Sequence, residues 1–345
     1  MTEGSQRNHV KTLLSGDKKH VLILIHRNPD GDAIGSAYAL RRVLHSIGHE
    51  VTVACPSDYP FNFRWVAGID KMLVGDRQPQ KVRQSIRRAQ IIVYLDFNTF
   101  QRIDGIANFL EEAVAYTILI DHHKEPRIRA DFQLTEPEAS STAELVYRFI
   151  QHVLDRADLI DQSVAELIYA GILTDTGKFR HNTSARLFRI MAELKSAGLD
   201  DLKIFDLIYN SLQEKHLRLI GHALHNRFVH WQDYRTAFIY LNKEDYRQFD
   251  IKRGDTEGLV NYPMMLADIV LSALITEQQN IIKISLRSKG DVDVQQLAKQ
   301  YFNGGGHKNA AGGYHHGPLD QTIADFKRAV EAFVTAQVKN TKSSS

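Results

Sequence analysis

The chain of 345 residues has a single cysteine, Cys55. One thiol makes neither a disulfide framework nor a cysteine-based zinc site. Nothing calls for an oxidising compartment, so the expected location is the cytoplasm. No run of 18 apolar residues occurs, and no membrane span is expected. The opening stretch, MTEGSQRNHVKTLLSGDKKH, has no apolar h-region and no small-residue cleavage site. A surplus of charge is also lacking: 43 Lys+Arg stand against 41 Asp+Glu, a formal net charge of +2. Such balance argues against a protein that coats duplex DNA, and permits a small anionic substrate held by a local cluster. There is no internal repeat and no low-complexity block.

What is present suits a globular protein. The hydrophobic fraction of 43% allows sizeable cores, and the length is comfortable for two domains. The first half alternates strand and helix signals. VLILIH (21–26), EVTVAC (50–55), QIIVYLDF (90–97) and AYTILIDHH (115–123) read as strands. AIGSAYALRRVLHSIG (33–48) has helical spacing and closes at Gly48. This alternation predicts a parallel, doubly wound sheet. Residues 142 to 226 read as mostly helical. Strand signals return at TAFIYLN (236–242) and NIIKISLRS (280–288), with helical stretches expected around 262–275 and 292–302. The expected division is 1–190 for the first domain, 191–229 for a helical linker and 230–340 for a smaller α/β domain.

In an open α/β sheet, ligands bind beyond the carboxyl ends of the strands. His26, Asp30 and Asp32 follow the first strand, in HRNPDGDAIGS. Asp96 ends another, and Asp121, His122 and His123 end a third. Asp175 lies in GILTDTG, near the end of a helical stretch. Four carboxylates gathered at one rim raise one another's pKa or bind cations. Imidazole beside carboxylate suits Mn, Fe, Co or Zn better than Mg or Ca. Two divalent ions would balance four carboxylates, the arrangement of two-metal hydrolysis. Each residue also has a plainer reading. An Asp just before a helix, as Asp32 is, is ordinarily an N-cap, and a strand-end Asp such as Asp96 is often a turn residue.

Residues 303–313 read NGGGHKNAAGG. The Gly-Lys-Ser/Thr ending of a Walker A loop is missing. Consecutive glycines at 304, 305 and 306 let backbone N–H groups approach an anion. His307 adds a donor there, and Arg287, at the end of a strand, could fork onto a phosphate. A plain glycine turn is the alternative.

Taken in order, HRNPDGDAIGS, VYLDFNT, IDHHK and GILTDTGKFR resemble the DHH phosphoesterase family, and NGGGHKNAAGG resembles its companion DHHA1 domain. The resemblance runs from about residue 20 to 335. It implies a DHH domain over 1–190 and a DHHA1 domain over 230–340. It implies that His26, Asp30 and Asp96 hold one Mn²⁺, and that Asp32, Asp96, His122 and Asp175 hold a second, with Asp96 bridging. His123 would donate to a non-bridging phosphate oxygen, and Asp121 would orient the neighbouring histidines. Arg287, Gly304, Gly305, Gly306 and His307 would bind the substrate's terminal phosphate. The two-domain size resembles the short members, bacterial nano-RNases that also act on 3′-phosphoadenosine 5′-phosphate (pAp). The implied activity is hydrolysis of short oligoribonucleotides, recognised at the 5′ end, and of pAp to AMP and phosphate, by two-metal hydroxide attack. The alternative is a phosphodiesterase for linear pApA or cyclic dinucleotides. Small family members are often dimers, so a homodimer belongs to the same expectation.

Overall fold

The computed structural model describes residues 3–252 and 254–342, which divide into two compact units at 211/212. In the first unit the strands are β1 (His20–Ile25), β2 (Glu50–Cys55), β3 (Leu73–Val74), β4 (Ile91–Leu95), β5 (Tyr116–Asp121) and β6 (Phe132–Thr135). The helices are α1 (Glu3–Ser15), α2 (Gly31–Ser46), α3 (Pro79–Arg88), α4 (Thr142–Arg148), α5 (Gln162–Asp175), α6 (Ala185–Ser196) and α7 (Asp201–Tyr209). The sheet order is β3-β2-β1-β4-β5-β6, and every pairing is parallel. The doubly wound fold expected from the alternating signals is therefore present.

The central strands β1 and β4 are almost entirely apolar because both faces are covered. Val21, Ile23 and Ile25 of β1 pack into one core with α2, α4 and α5. Leu22 and Leu24 point into the other, with Val82 and Ile86 of α3. The sheet order reverses between β1 and β4, so their carboxyl ends flank a topological switch point. On one face, α2 and α5 approach closely at Gly35 and Gly171. A Cβ at Gly171 would lie 2.6 Å from the Ala143 Cβ and 2.9 Å from Asp32 Oδ1. The glycine therefore lets α5 press against the acidic start of α2.

Helix α1 was not apparent in the sequence, yet its Val10 and Leu14 are fully buried in the first core. The stretch 191–229 is mostly helical, and the division between the two units falls within it. Helices α6 and α7 belong to the first unit, with Leu187, Ile190, Leu194, Ile204 and Ile208 in its core.

The second unit contains α8 (Glu214–Asn226), β7 (Phe228–Trp231), β8 (Thr236–Leu241), α9 (Lys243–Gln248), β9 (Leu271–Glu277), β10 (Ile282–Ser288), α10 (Val294–Tyr301), β11 (Gly305–His307), β12 (Ala310–His315) and α11 (Leu319–Lys342). Its mixed sheet has the order β11-β12-β10-β9-β8-β7, with only β8 and β9 parallel. The helix expected around 262–275 is not formed. Two short 3₁₀ turns, Leu259–Asn261 and Pro263–Met265, lead into β9. The run LSALIT is buried on both faces of a central strand, so it carries no alternation that would tell strand from helix. The glycine stretch likewise becomes a hairpin, β11 with β12.

Candidate metal centre

Three adjacent strands deliver the site. His26 follows β1, Asp96 follows β4, and Asp121 closes β5 with His122 and His123 just beyond. Helix α2 begins between them. Its N-cap is Asp30, whose Oδ1 accepts from the N–H groups of Asp32 and Ala33, both at 3.1 Å. Asp32, expected as the cap, instead sits inside the first turn. Its carboxylate is fully buried. Oδ2 accepts from Thr142 N at 2.7 Å and Oδ1 from Ala143 N at 2.8 Å. The start of α4 thus holds the charge of Asp32 in place. Asp175 is the last residue of α5.

Asp96 is the hub. Its backbone is left-handed, with φ of 64°, a region that Asp tolerates better than most residues. Its N–H donates to Ile120 O at 3.1 Å, and its Oδ1 accepts from the Thr142 hydroxyl at 2.7 Å. Oδ2 lies 3.4 Å from His26 Nε2, and Oδ1 lies 3.8 Å from His122 Nε2. His122 Nε2 is also 3.5 Å from Asp175 Oδ2 and 3.9 Å from Asp32 Oδ2. Donor atoms within 4.8 Å of one another thus form three overlapping sets: His26, Asp30 and Asp96; Asp32, His122 and Asp175; and Asp96, His122 and His123.

The chemistry of these donors fits divalent cations. His26 Nδ1 is anchored on the Arg27 carbonyl at 2.9 Å, which leaves Nε2 as the lone-pair nitrogen. That Nε2 is buried, has no hydrogen-bond partner and faces two carboxylates. An imidazole fixed at one nitrogen and orphaned at the other is how a metal-ligating histidine is built. The electrostatics agree. Burial alone would lower the pKa of His26, but Asp30 and Asp96 outweigh it and raise the imidazole to about 10. Burial pushes the carboxyls of Asp32 and Asp175 well above the ordinary range, with repulsion from Asp96 adding at Asp32 and repulsion from Asp30 and Asp96 adding at Asp175. Asp96 goes the other way: against burial, His26 and His123 hold it low. Crowding of like charge of this kind is relieved by bound cations.

Both ring nitrogens of His123 have protein partners. Its Nδ1 lies 2.7 Å from Asp121 Oδ1, and its Nε2 lies 2.7 Å from Arg102 Nη1. An arginine can only donate, so Nε2 accepts and Nδ1–H points to Asp121. In this arrangement the ring presents no N–H to a phosphate oxygen. Arg102 and Thr142 are the residues that sequence reasoning missed. Arg102 stands six residues after Asp96, and Thr142 opens α4 directly after its N-cap Ser141.

In the second unit, Arg287 on β10 and His307 on β11 both pair with Ala310 on β12. They therefore project from one face of the sheet, flanking a small side chain. Burial lowers the pKa of the Arg287 guanidinium. The glycines beside them have internal reasons. A Cβ at Gly304 would strike the Gly312 carbonyl, and one at Gly306, where φ is 140°, would lie 2.6 Å from Ala310 O. Close hairpin packing requires both.

Residues 20–172 match the DHH family, N-terminal domain, and residues 235–336 match the DHHA1 domain. The chain belongs to the DHH family of phosphoesterases and is a hydrolase. It is similar to the bifunctional oligoribonuclease and PAP phosphatase NrnA of Thermus thermophilus, at 28% identity over 94% of this chain and 92% of that one. It is 23% identical to the cyclic-di-AMP phosphodiesterase GdpP of Bacillus subtilis, over 96% of this chain but 50% of that protein. The crystal structure of an exopolyphosphatase-related protein from Bacteroides fragilis superposes with a TM-score of 0.91 at 36% identity, covering 96% of this chain and 97% of that one. No described helix is long and apolar enough to cross a membrane.

Proposed function

We propose that the chain hydrolyses short oligoribonucleotides from the 5′ end to mononucleotides, and pAp to AMP and phosphate, using two divalent cations, Mn²⁺ in the cell. The observation that carries this reading is the clustering of buried Asp and His donors around Asp96. It is supported by the likeness to NrnA over nearly the full length of both chains. His26, Asp30 and Asp96 would hold one cation, and Asp32, Asp96, His122 and Asp175 the other. Cations bound there supply positive charge to the phosphoryl oxygens and acidify the attacking water. Thr142 keeps the carboxylates of Asp32 and Asp96 oriented through its N–H and hydroxyl. Asp121 holds the ring of His123. Water adds to phosphorus, the bond to the 3′ oxygen breaks, and that oxygen leaves with a proton. Arg287 and His307, with the backbone of Gly304, Gly305 and Gly306, would receive the 5′-phosphate, which sets the counting end. The near-neutral charge favours short single strands over duplex DNA. The reading places the protein in the cytoplasm.

The likeness to GdpP favours a second reading, a phosphodiesterase for linear pApA or cyclic dinucleotides. A substrate panel separates the two. The purified chain is offered pAp, 5′-phosphorylated RNAs of two to about ten nucleotides, pApA, cyclic di-AMP and polyphosphate, with Mn²⁺ and with a chelator control. Chelator-sensitive release of phosphate from pAp, with stepwise 5′ shortening of the shortest RNAs, is expected. Cleavage confined to dinucleotides establishes the second reading. Consumption of polyphosphate alone overturns both.

A further inference from the structure

Arg102 is placed with more care than a surface cation needs. Its carbonyl accepts from Arg27 N at 2.8 Å, and its own N–H donates to Thr99 O at 3.1 Å. Two residues on, Asp104 adopts a left-handed backbone and pairs with the Arg27 guanidinium. Arg27 is itself clamped by Asp76, with contacts of 2.9 and 2.6 Å. The loop after β4 is thereby tied to the loop after β1, the two loops that carry Asp96 and His26.

The guanidinium uses only one of its nitrogens on the protein. Nη1 donates to His123 Nε2 at 2.7 Å and, at 3.3 Å, to the backbone oxygen of Asp96. Nε and Nη2 have no partner among the described residues. A half-buried guanidinium thus stands against the backbone of Asp96 with part of its donor fork open.

We infer that Arg102 is a further catalytic residue of this site: Nη1 pins His123, and the rest of the fork receives the non-bridging oxygens of the phosphoryl group. The inference rests on the phosphoester reading above. During hydrolysis, negative charge builds on those oxygens, and a planar, permanently charged fork matches them. No bond to Arg102 forms or breaks. His123 becomes a positioning residue, because its Nε2 lone pair is spent on Arg102 and its N–H on Asp121. A lysine here would offer one ammonium, which cannot hold Nε2 and meet two oxygens in the same plane.

The test has two arms. The first is kinetic, with pAp and Mn²⁺. Arg102→Ala is expected to lower kcat by about 10²–10³-fold with little change in KM. Arg102→Lys should recover little of that loss. Added methylguanidine should restore part of the rate in Arg102→Ala and none in Asp96→Asn. The second arm reads the His123 ring in the metal-free protein by long-range proton–nitrogen NMR. The wild type should show Nδ1 protonated and Nε2 bare, and Arg102→Ala should lose that single tautomer. An active wild type whose Arg102→Ala variant keeps its kcat overturns the catalytic role alone. A His123 ring protonated at Nε2 in the wild type overturns the pinning. A wild type inactive on every phosphoester overturns both this inference and the reading it rests on.

Discussion

The hydroxyl of Thr142 donates to Asp96 Oδ1 at 2.7 Å, while the N–H of the same residue donates to Asp32 Oδ2 at 2.7 Å. One residue at the start of α4 therefore sets two carboxylates, one from the first turn of α2 and one from the loop after β4. Buried charges of like sign do not hold such positions unaided. Thr142→Val keeps the shape and the N–H but removes the hydroxyl donor. Divalent-ion affinity is expected to fall about 10–100-fold, with activity recovering at high ion concentration. Titration of Mn²⁺ into the metal-free protein checks this. Unchanged affinity would mean that the hydroxyl does not orient Asp96.

Gly171→Ala tests the close approach of α5 to α2. In an exposed helix this change would gain up to about 1 kcal/mol from propensity. Here the new methyl meets the Ala143 side chain at 2.6 Å and Asp32 Oδ1 at 2.9 Å. Overpacking should win, with a net loss of about 1–3 kcal/mol in urea unfolding and a weakened metal site. A stabilised variant would show that the two helices separate freely.

The second unit has its own acid-sensitive lock. Asp245 is fully buried and accepts from Arg227 Nε at 2.9 Å, Asn242 N at 3.0 Å and His222 Nε2 at 2.8 Å. Burial pushes its carboxyl up, but Arg227, Asn242 and His222 together outweigh that and hold it below the usual carboxylate range. A lowered folded pKa contributes stability that is fully present above the unfolded value of about 3.9. That stability is lost as pH falls through the folded value. Asp245→Asn is therefore expected to cost about 2 kcal/mol near neutrality. The gap between variant and wild type should close as the pH drops below about 4. Denaturant melts across that range measure it. A gap independent of pH would place the stabilisation elsewhere.

Much of this architecture is legible in the sequence, for reasons that differ by element. Strands β1 and β4 announce themselves because both faces are buried and their residues are almost all apolar, and β2 and β5 because their second halves are. The polar residues at their ends then stand out, which is why His26, Asp96 and His122 could be singled out. The cap of α2 was misplaced from Asp30 to Asp32 because both aspartates precede the apolar pattern, and only backbone geometry shows that the helix opens at Gly31. Strand β9 looked helical because a central strand, like a core helix, is apolar all round. Arg102 and Thr142 were invisible for another reason. Their roles depend on which loops the sheet order brings together, and neither residue type is unusual where it stands.

The most direct test of the central account is phosphate release from pAp by Asp96→Asn, measured with saturating Mn²⁺ on protein whose circular dichroism matches the wild type. Among the described residues Asp96 alone reaches both His26 and His122, so its loss should drop the rate below about one thousandth of wild type. A variant that stays folded and turns over pAp within about tenfold of wild type would show that the Asp and His cluster is not where the ester is cleaved.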